Sequence, residues 1–216
     1  MRAKKTNILQ LKQQKMCHEN QSIYHRSIFG CDAQHGSYLM IKKSSILGFV
    51  LVMLASTCSA ADSVSLELAT GNKTEIARVG AQWNWNKSWY SGNGTHIGGY
   101  WDLTLAQWHG NQYQDIAGAS QNISDLGITP VFRFQRDDKK GLYAEVGIGA
   151  HLLSSPYNNN GRRLSTHFQF GDHFGIGYVL ENKVDLGMKL QHFSNAGYEE
   201  PNDGVNFVVF KVSYAY

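Results

Sequence analysis

The 216 residues carry 20 Lys+Arg against 17 Asp+Glu, but 8 of those cations and only 2 of the acids precede residue 61, leaving 12 against 15 and a net charge near −3 for the rest. The basic balance of the whole chain thus belongs to its leading segment and gives no ground for a nucleic-acid partner. Cys17, Cys31 and Cys58 also precede residue 61, which excludes a disulfide framework from everything that follows.

Residues 1–39 are polar, rich in Lys, Gln and His, and without sustained periodicity. They read as a spurious extension upstream of a true start at Met40. Residues 40–60 read as a signal peptide. Lys42 and Lys43 give the positive region, and Ile46 to Ala55 is an apolar run too short to span a bilayer as a helix. Small residues follow, with Ala60 the last before cleavage. A lipid anchor on Cys58 is the weaker alternative, because Ala55-Ser56-Thr57 lacks the usual leading Leu. The exported part, residues 61–216, is expected to be one domain.

That domain is rich in Gly, Trp, Tyr and Phe and poor in Pro. Eight runs of period two predict strands, at about 63–70, 75–89, 95–108, 123–136, 141–152, 165–181, 183–195 and 204–216. In the third run Trp101, Leu103 and Leu105 oppose Asp102 and Thr104. In the fourth, Leu126, Ile128, Pro130, Phe132 and Phe134 oppose Asp125, Gly127, Thr129 and Arg133. In the fifth, Leu142, Ala144, Val146, Ile148, Ala150 and Leu152 oppose Tyr143, Glu145, Gly147, Gly149 and His151.

Several of these runs reach the roughly 9–11 residues that a tilted strand needs to cross a bilayer. Alternation alone fits a water-soluble barrel equally well, with the apolar face inside. Three features favour the inverted arrangement, with lipid outside and polar groups inside. The chain is exported. It ends VVFKVSYAY, an alternating strand with an aromatic last residue, like the terminal strand of bacterial outer-membrane proteins. Trp83, Trp85, Trp89, Tyr90, Trp101 and Trp108 lie near strand ends, as an interfacial girdle would. The fold class expected is all-β, an eight-stranded antiparallel transmembrane β-barrel of the bacterial outer membrane. QRDDKK (135–140) and ENK (181–183) are its short turns, and 109–122, 153–164 and 195–204 its longer outer loops. Eight strands leave an interior filled by side chains, which excludes a wide pore.

The seventh run holds the chemistry. Val184, Leu186, Met188, Leu190, His192 and Ser194 share the apolar face, while Asp185, Gly187, Lys189, Gln191 and Phe193 share the other. His192 and Ser194 therefore project from the outside of the barrel at its outer end, where polar groups need a reason. Same-face neighbours on a strand lie roughly 6–7 Å apart at Cα, within reach for an imidazole to activate a hydroxyl. Asn206, at the outer end of the eighth run, is placed to orient the imidazole. The competing reading is a pair of headgroup-level residues bonded to lipid or water.

Other polar positions have plainer readings. His151 and His173 fall on the inner face and suit an interior polar network. Gly175 and Gly177 are strand glycines with no nucleotide-binding context, and no His or carboxylate set has metal-ligand spacing. No cofactor or metal is implied.

HFSN (192–195) followed by EEPNDG (199–204) just before the last strand resembles the lipid A 3-O-deacylase (PagL) family. DLGITPVFRF (125–134) and STHFQFGDHFGIGY (165–178) are similar to further family segments. The resemblance implies an eight-stranded outer-membrane barrel that hydrolyses the 3-position ester of lipid A and releases a hydroxy fatty acid. It implies His192 as base and Ser194 as nucleophile, and sets Asn206 where the family usually has Glu. Asn can orient an imidazole but carries no charge, so Glu199, Glu200 and Asp203 in the adjacent loop are alternatives for the third member. Asn195, Asn202 and Gly204 are candidates for the oxyanion hole or for loop support, each with a competing reading as a turn residue. Asp172 stands on the apolar face of the sixth run, where the family often has Asn, and marks either a bulge or support for the site. The implied partners are lipid A or lipopolysaccharide and outer-membrane lipid; a homodimer is compatible with such a barrel. A non-enzymatic barrel acting as an adhesin or structural protein, or another lipid-modifying barrel such as an acyltransferase or phospholipase, are the alternative functions.

Overall fold

A computed structural model describes residues 61–216; the extension at 1–39 and the signal peptide at 40–60 lie outside the described residues. Eight long strands form a closed antiparallel meander: β1 (Ser63–Gly71), β2 (Thr74–Asn84), β4 (Thr95–Gly110), β5 (Gln121–Arg136), β6 (Gly141–Leu153), β9 (Phe168–Val179), β10 (Val184–Ser194) and β11 (Val205–Ala215). Each pairs with the next, β2 with β4, β6 with β9, and β11 returns to β1, so no barrel strand is left with an open edge. Three short strands lie outside this circuit: β3 (Tyr90–Gly92) on β4, and the β7 (Tyr157–Asn159) and β8 (Arg162–Leu164) hairpin within a loop.

The alternation predicted from the sequence becomes two walls. Leu66, Leu68, Leu103, Leu105, Ile128, Phe132, Leu142, Ile148, Phe174, Leu186, Leu190 and Phe210 are all exposed on the outside, while Glu67, Arg78, Asp102, Arg133, Glu145, Asp185, Lys189 and Lys211 are buried inside. A water-soluble barrel would have the reverse arrangement.

The interior has two layers, where the sequence suggested a uniformly polar one. Towards the chain termini it is ionic. Glu67 takes Arg78 at 2.8 Å and Lys189 at 2.5 Å. Arg133 bridges Glu145 at 2.7 Å and Asp185 at 3.0 Å, with Lys211 3.4 Å from Glu145. Buried charges persist only when paired in this way. Towards the long loops the interior is mainly apolar, around a single buried Asp125–His151 pair: Trp108, Ile123, Leu153, Tyr157, Leu164, Phe193, Val205, Phe207 and Val209 form one buried cluster. The β7–β8 hairpin folds over this end. It turns on Asn160-Gly161, both at positive φ, and Asn159 closes the contact by donating to the Asn72 carbonyl at 2.8 Å.

Two details differ from the sequence reading. The run expected to reach residue 89 ends at Asn84; Trp85 still donates to the Gly99 carbonyl at 2.8 Å, with its ring across that glycine. Pairing with β4 resumes at Trp89 and β3. Trp108 is not part of an outer girdle. It shares the phase of Asp102, Thr104 and Ala106, is fully buried, and donates its indole N–H to Asp125 at 3.3 Å. Trp85, Trp89, Trp101 and Phe132 do form an aromatic group near the terminal end of the barrel.

Candidate active site

Strand β10 carries two kinds of residue at its loop end. His192 and Ser194 point outward from the barrel wall and are half-buried; Phe193 between them points inward and is fully buried. Its ring meets Trp108 edge-to-face at 4.7 Å and Phe207 at 5.9 Å. Phe207 follows Asn206 on β11, so the two strands that present the outward polar groups are pegged to each other and to the plug from inside. Aromatic pairs of this geometry add about 0.5–1.5 kcal/mol each beyond their burial.

The register sets His192 directly opposite Asn206. His192 Nδ1 lies 2.6 Å from Asn206 Oδ1. An amide oxygen can only accept, so Nδ1 carries the hydrogen and Nε2 keeps its lone pair. Ser194 follows two residues later on the same face, and its Oγ accepts from the Ala196 amide at 3.4 Å. The arrangement can present a hydroxyl beside a basic nitrogen whose ring is held in one orientation, which is what nucleophilic attack on an ester requires.

Gly204 completes the ring's enclosure. It sits at φ +63, and a Cβ built on it would fall 2.6 Å from His192 Cε1 and 3.1 Å from Nε2. Both the backbone and the contact demand glycine there.

Asn195 and Asn202 hold the β10–β11 loop together. Asn202 Oδ1 accepts the Asn195 amide at 3.0 Å. Asn195 Nδ2 donates to the Glu199 carbonyl at 2.6 Å and to Ser165 Oγ at 3.2 Å, and its Oδ1 accepts from the Gly197 amide at 3.0 Å. Both side chains brace the loop, while Asn202 Nδ2, the kind of donor an oxyanion would need, is engaged by none of these bonds. Two of the loop acids are occupied elsewhere: Glu200 caps the Asn202 amide at 2.8 Å and Asp203 caps the Arg163 amide at 2.8 Å. The side chain in contact with His192 is Asn206; Glu199 contributes its carbonyl to Ser165 Oγ and Asn195 Nδ2, and its exposed carboxylate makes no bond to His192. Asp172 on β9 lies opposite His192 on the other flank, on the outward phase and in regular ladder pairing, so it marks no bulge.

The interior histidines stand apart from the site. His151 Nδ1 pairs with Asp125 at 3.0 Å, and His173 is buried facing the lumen. The sequence reading did not single out Phe193, Phe207 or Ser165. An aromatic residue in the otherwise polar phase of β10 was the available signal for Phe193; Ser165 left none, since its role depends on loop contacts.

Comparison with known proteins fits this architecture. The family model for "Lipid A 3-O-deacylase (PagL)" matches residues 75–215. The lipid A deacylase PagL of Pseudomonas aeruginosa is 30% identical over 162 residues, covering 74% of this chain and 90% of that protein. The lipid A deacylase PagL of Bordetella bronchiseptica is 31% identical over 185 residues, covering 82% of this chain and 98% of that protein. A crystal structure of the outer membrane enzyme PagL superposes with a TM-score of 0.61 at 25% identity, covering 71% of this chain and 99% of that one.

Proposed function

Because the chain belongs to the lipid A 3-O-deacylase (PagL) family and is an outer-membrane lipid A deacylase, we propose that Ser194 is its nucleophile, His192 its general base and Asn206 the residue that orients the base. The reading rests on one observation above others, the 2.6 Å contact that fixes His192 Nδ1 on Asn206 Oδ1 with Ser194 two residues along the same face.

Ser194 Oγ attacks the carbonyl carbon of the 3-linked acyl ester while its proton passes to His192 Nε2. The tetrahedral intermediate collapses, the C–O bond to the sugar breaks, and the imidazolium returns the proton to the departing oxygen. Water, deprotonated by the same nitrogen, then cleaves the acyl-enzyme and frees the hydroxy fatty acid. The site faces lipid because its substrate is a lipid: the ester reaches Ser194 by lateral diffusion along a wall formed by Leu190, Phe174 and Val208. Asn195 and Asn202 keep the overlying loop in place, and Gly204 leaves room for the imidazole.

The test is the mass of lipid A incubated with purified Ser194→Ala protein. Loss of 3-O-deacylation by at least about a thousandfold is expected, with the barrel intact. A folded Ser194→Ala protein that still strips the 3-linked chain would overturn the assignment.

A further inference from the structure

The outward faces of β9, β10 and β11 read Phe168, Phe170, Asp172, Phe174, Ile176 and Tyr178; Val184, Leu186, Met188, Leu190, His192 and Ser194; and Asn206, Val208, Phe210, Val212 and Tyr214. Asp172 is the one carboxylate among them. It is flanked along its strand by Phe170 and Phe174, and across β6 by Ile148. Among the described residues its carboxylate makes no hydrogen bond and no ion pair. An acid kept on an apolar wall without a partner is costly, and the register sets a single titratable group beside it: His192. Cross-strand partners lie about 4.5–5.5 Å apart at Cα. On the opposite flank of His192 stands Asn206, which orients the ring but cannot carry charge.

We propose that Asp172 supplies the negative charge that Asn206 lacks, so that the two duties of a single acidic residue are divided between the two strands that flank the histidine. The inference rests on the roles given above to Ser194 and His192. When the Ser194 proton reaches Nε2, the imidazolium forms between an amide that fixes its orientation and a carboxylate that offsets its charge. When the proton leaves for the departing sugar oxygen, the site returns to its starting charge. Asp172 is a positioning residue: it acts on His192 and not on the ester. The remaining groups leave this duty to it. On β11 the facing residues are Asn206 and Val208, on β10 the same-face neighbours are Leu190 and Ser194, and in the loop Glu200 and Asp203 are bonded to backbone amides while the exposed Glu199 carboxylate makes no bond to His192. His173 and Lys189 lie on the inner side of the wall.

The experiment compares the wild-type protein with Asp172→Asn, Asn206→Glu and the double variant Asp172→Asn/Asn206→Glu, measuring kcat and KM for lipid A across pH. Asp172→Asn is isosteric and should lower kcat roughly tenfold or more at little change in KM. The rate–pH profile of Asp172→Asn should differ from that of wild type, a change that a merely structural residue would not produce. The double variant returns the charge on the other flank and should recover most of the lost kcat. A wild-type kcat and pH profile in Asp172→Asn would overturn the proposal, as would a loss that the double variant does not repair. Ser194→Ala run alongside separates the two readings. If it is inactive while Asp172→Asn is indifferent, only the division of charge fails; if it is active, the assignment of the nucleophile fails first.

Discussion

Replacing Gly204 by Ala adds one methyl group at the most constrained point of the site. The backbone there has φ +63, and a Cβ in the left-handed region costs about 1–2 kcal/mol. That penalty falls on the loop, since the barrel's ladders do not include Gly204. The larger effect is local. The new carbon would lie 2.6 Å from His192 Cε1, and ordinary contact begins at 3.4 Å, so the imidazole must retreat by about 0.8 Å. Its bond to Asn206 is only 2.6 Å long, and the ring cannot move that far without stretching or swinging off it. A misplacement near 1 Å costs about a hundredfold in turnover, or about 2.7 kcal/mol of transition-state stabilisation. The assay is release of hydroxy fatty acid from lipid A in mixed micelles, beside urea unfolding of the same preparation. Turnover should fall about a hundredfold while the unfolding midpoint moves little. Turnover within about twofold of wild type would show that the ring's enclosure by Gly204 does not govern the chemistry.

Asn206→Ala should free the imidazole to rotate and lower kcat by about ten- to a hundredfold, whereas Asn206→Glu should remain active. The added carboxylate of Asn206→Glu should change the rate–pH profile; a curve that stays in place would argue against contact between the two side chains in solution. Asn195→Ala removes a buried side chain that joins Ser165, Gly197 and Glu199, and should loosen the loop by about 1–3 kcal/mol, seen as faster amide exchange over residues 195–204 without loss of the barrel. Phe193→Ala empties the centre of the aromatic plug and should destabilise the barrel by about 3–5 kcal/mol in urea unfolding, with activity falling even at denaturant-free conditions; an unchanged midpoint would show the peg to be dispensable.

Much of this architecture was legible in the sequence because a barrel strand states its two faces residue by residue. The phase of β10 separates Leu186, Met188, Leu190, His192 and Ser194 from Asp185, Lys189 and Gln191, and the structure keeps that separation. Trp108 shows where reading by residue type goes astray. Tryptophan near a strand end suggests an interface, but its even phase with Asp102 and Thr104 put it inside. The stop at Asn84 was not legible, because the alternation of tryptophan and polar residues runs on past it through Trp85. The pairing of His192 with Asn206 follows from strand order, because the last two runs form a hairpin. The distinct duties of Asn195, Asn202, Glu200 and Asp203 did not, since loop side chains take their directions from contacts with the β7–β8 hairpin and Ser165.

The stacked interior, ionic below and aromatic above, also bears on the cell that makes this protein. With Trp108, Tyr157, Phe193 and Phe207 filling one end and paired charges such as Glu145–Lys211 the other, the barrel offers solutes no continuous aqueous route. Each copy is a solid post rather than a conduit. The outer membrane can therefore hold copies of it without their opening a channel through the permeability barrier.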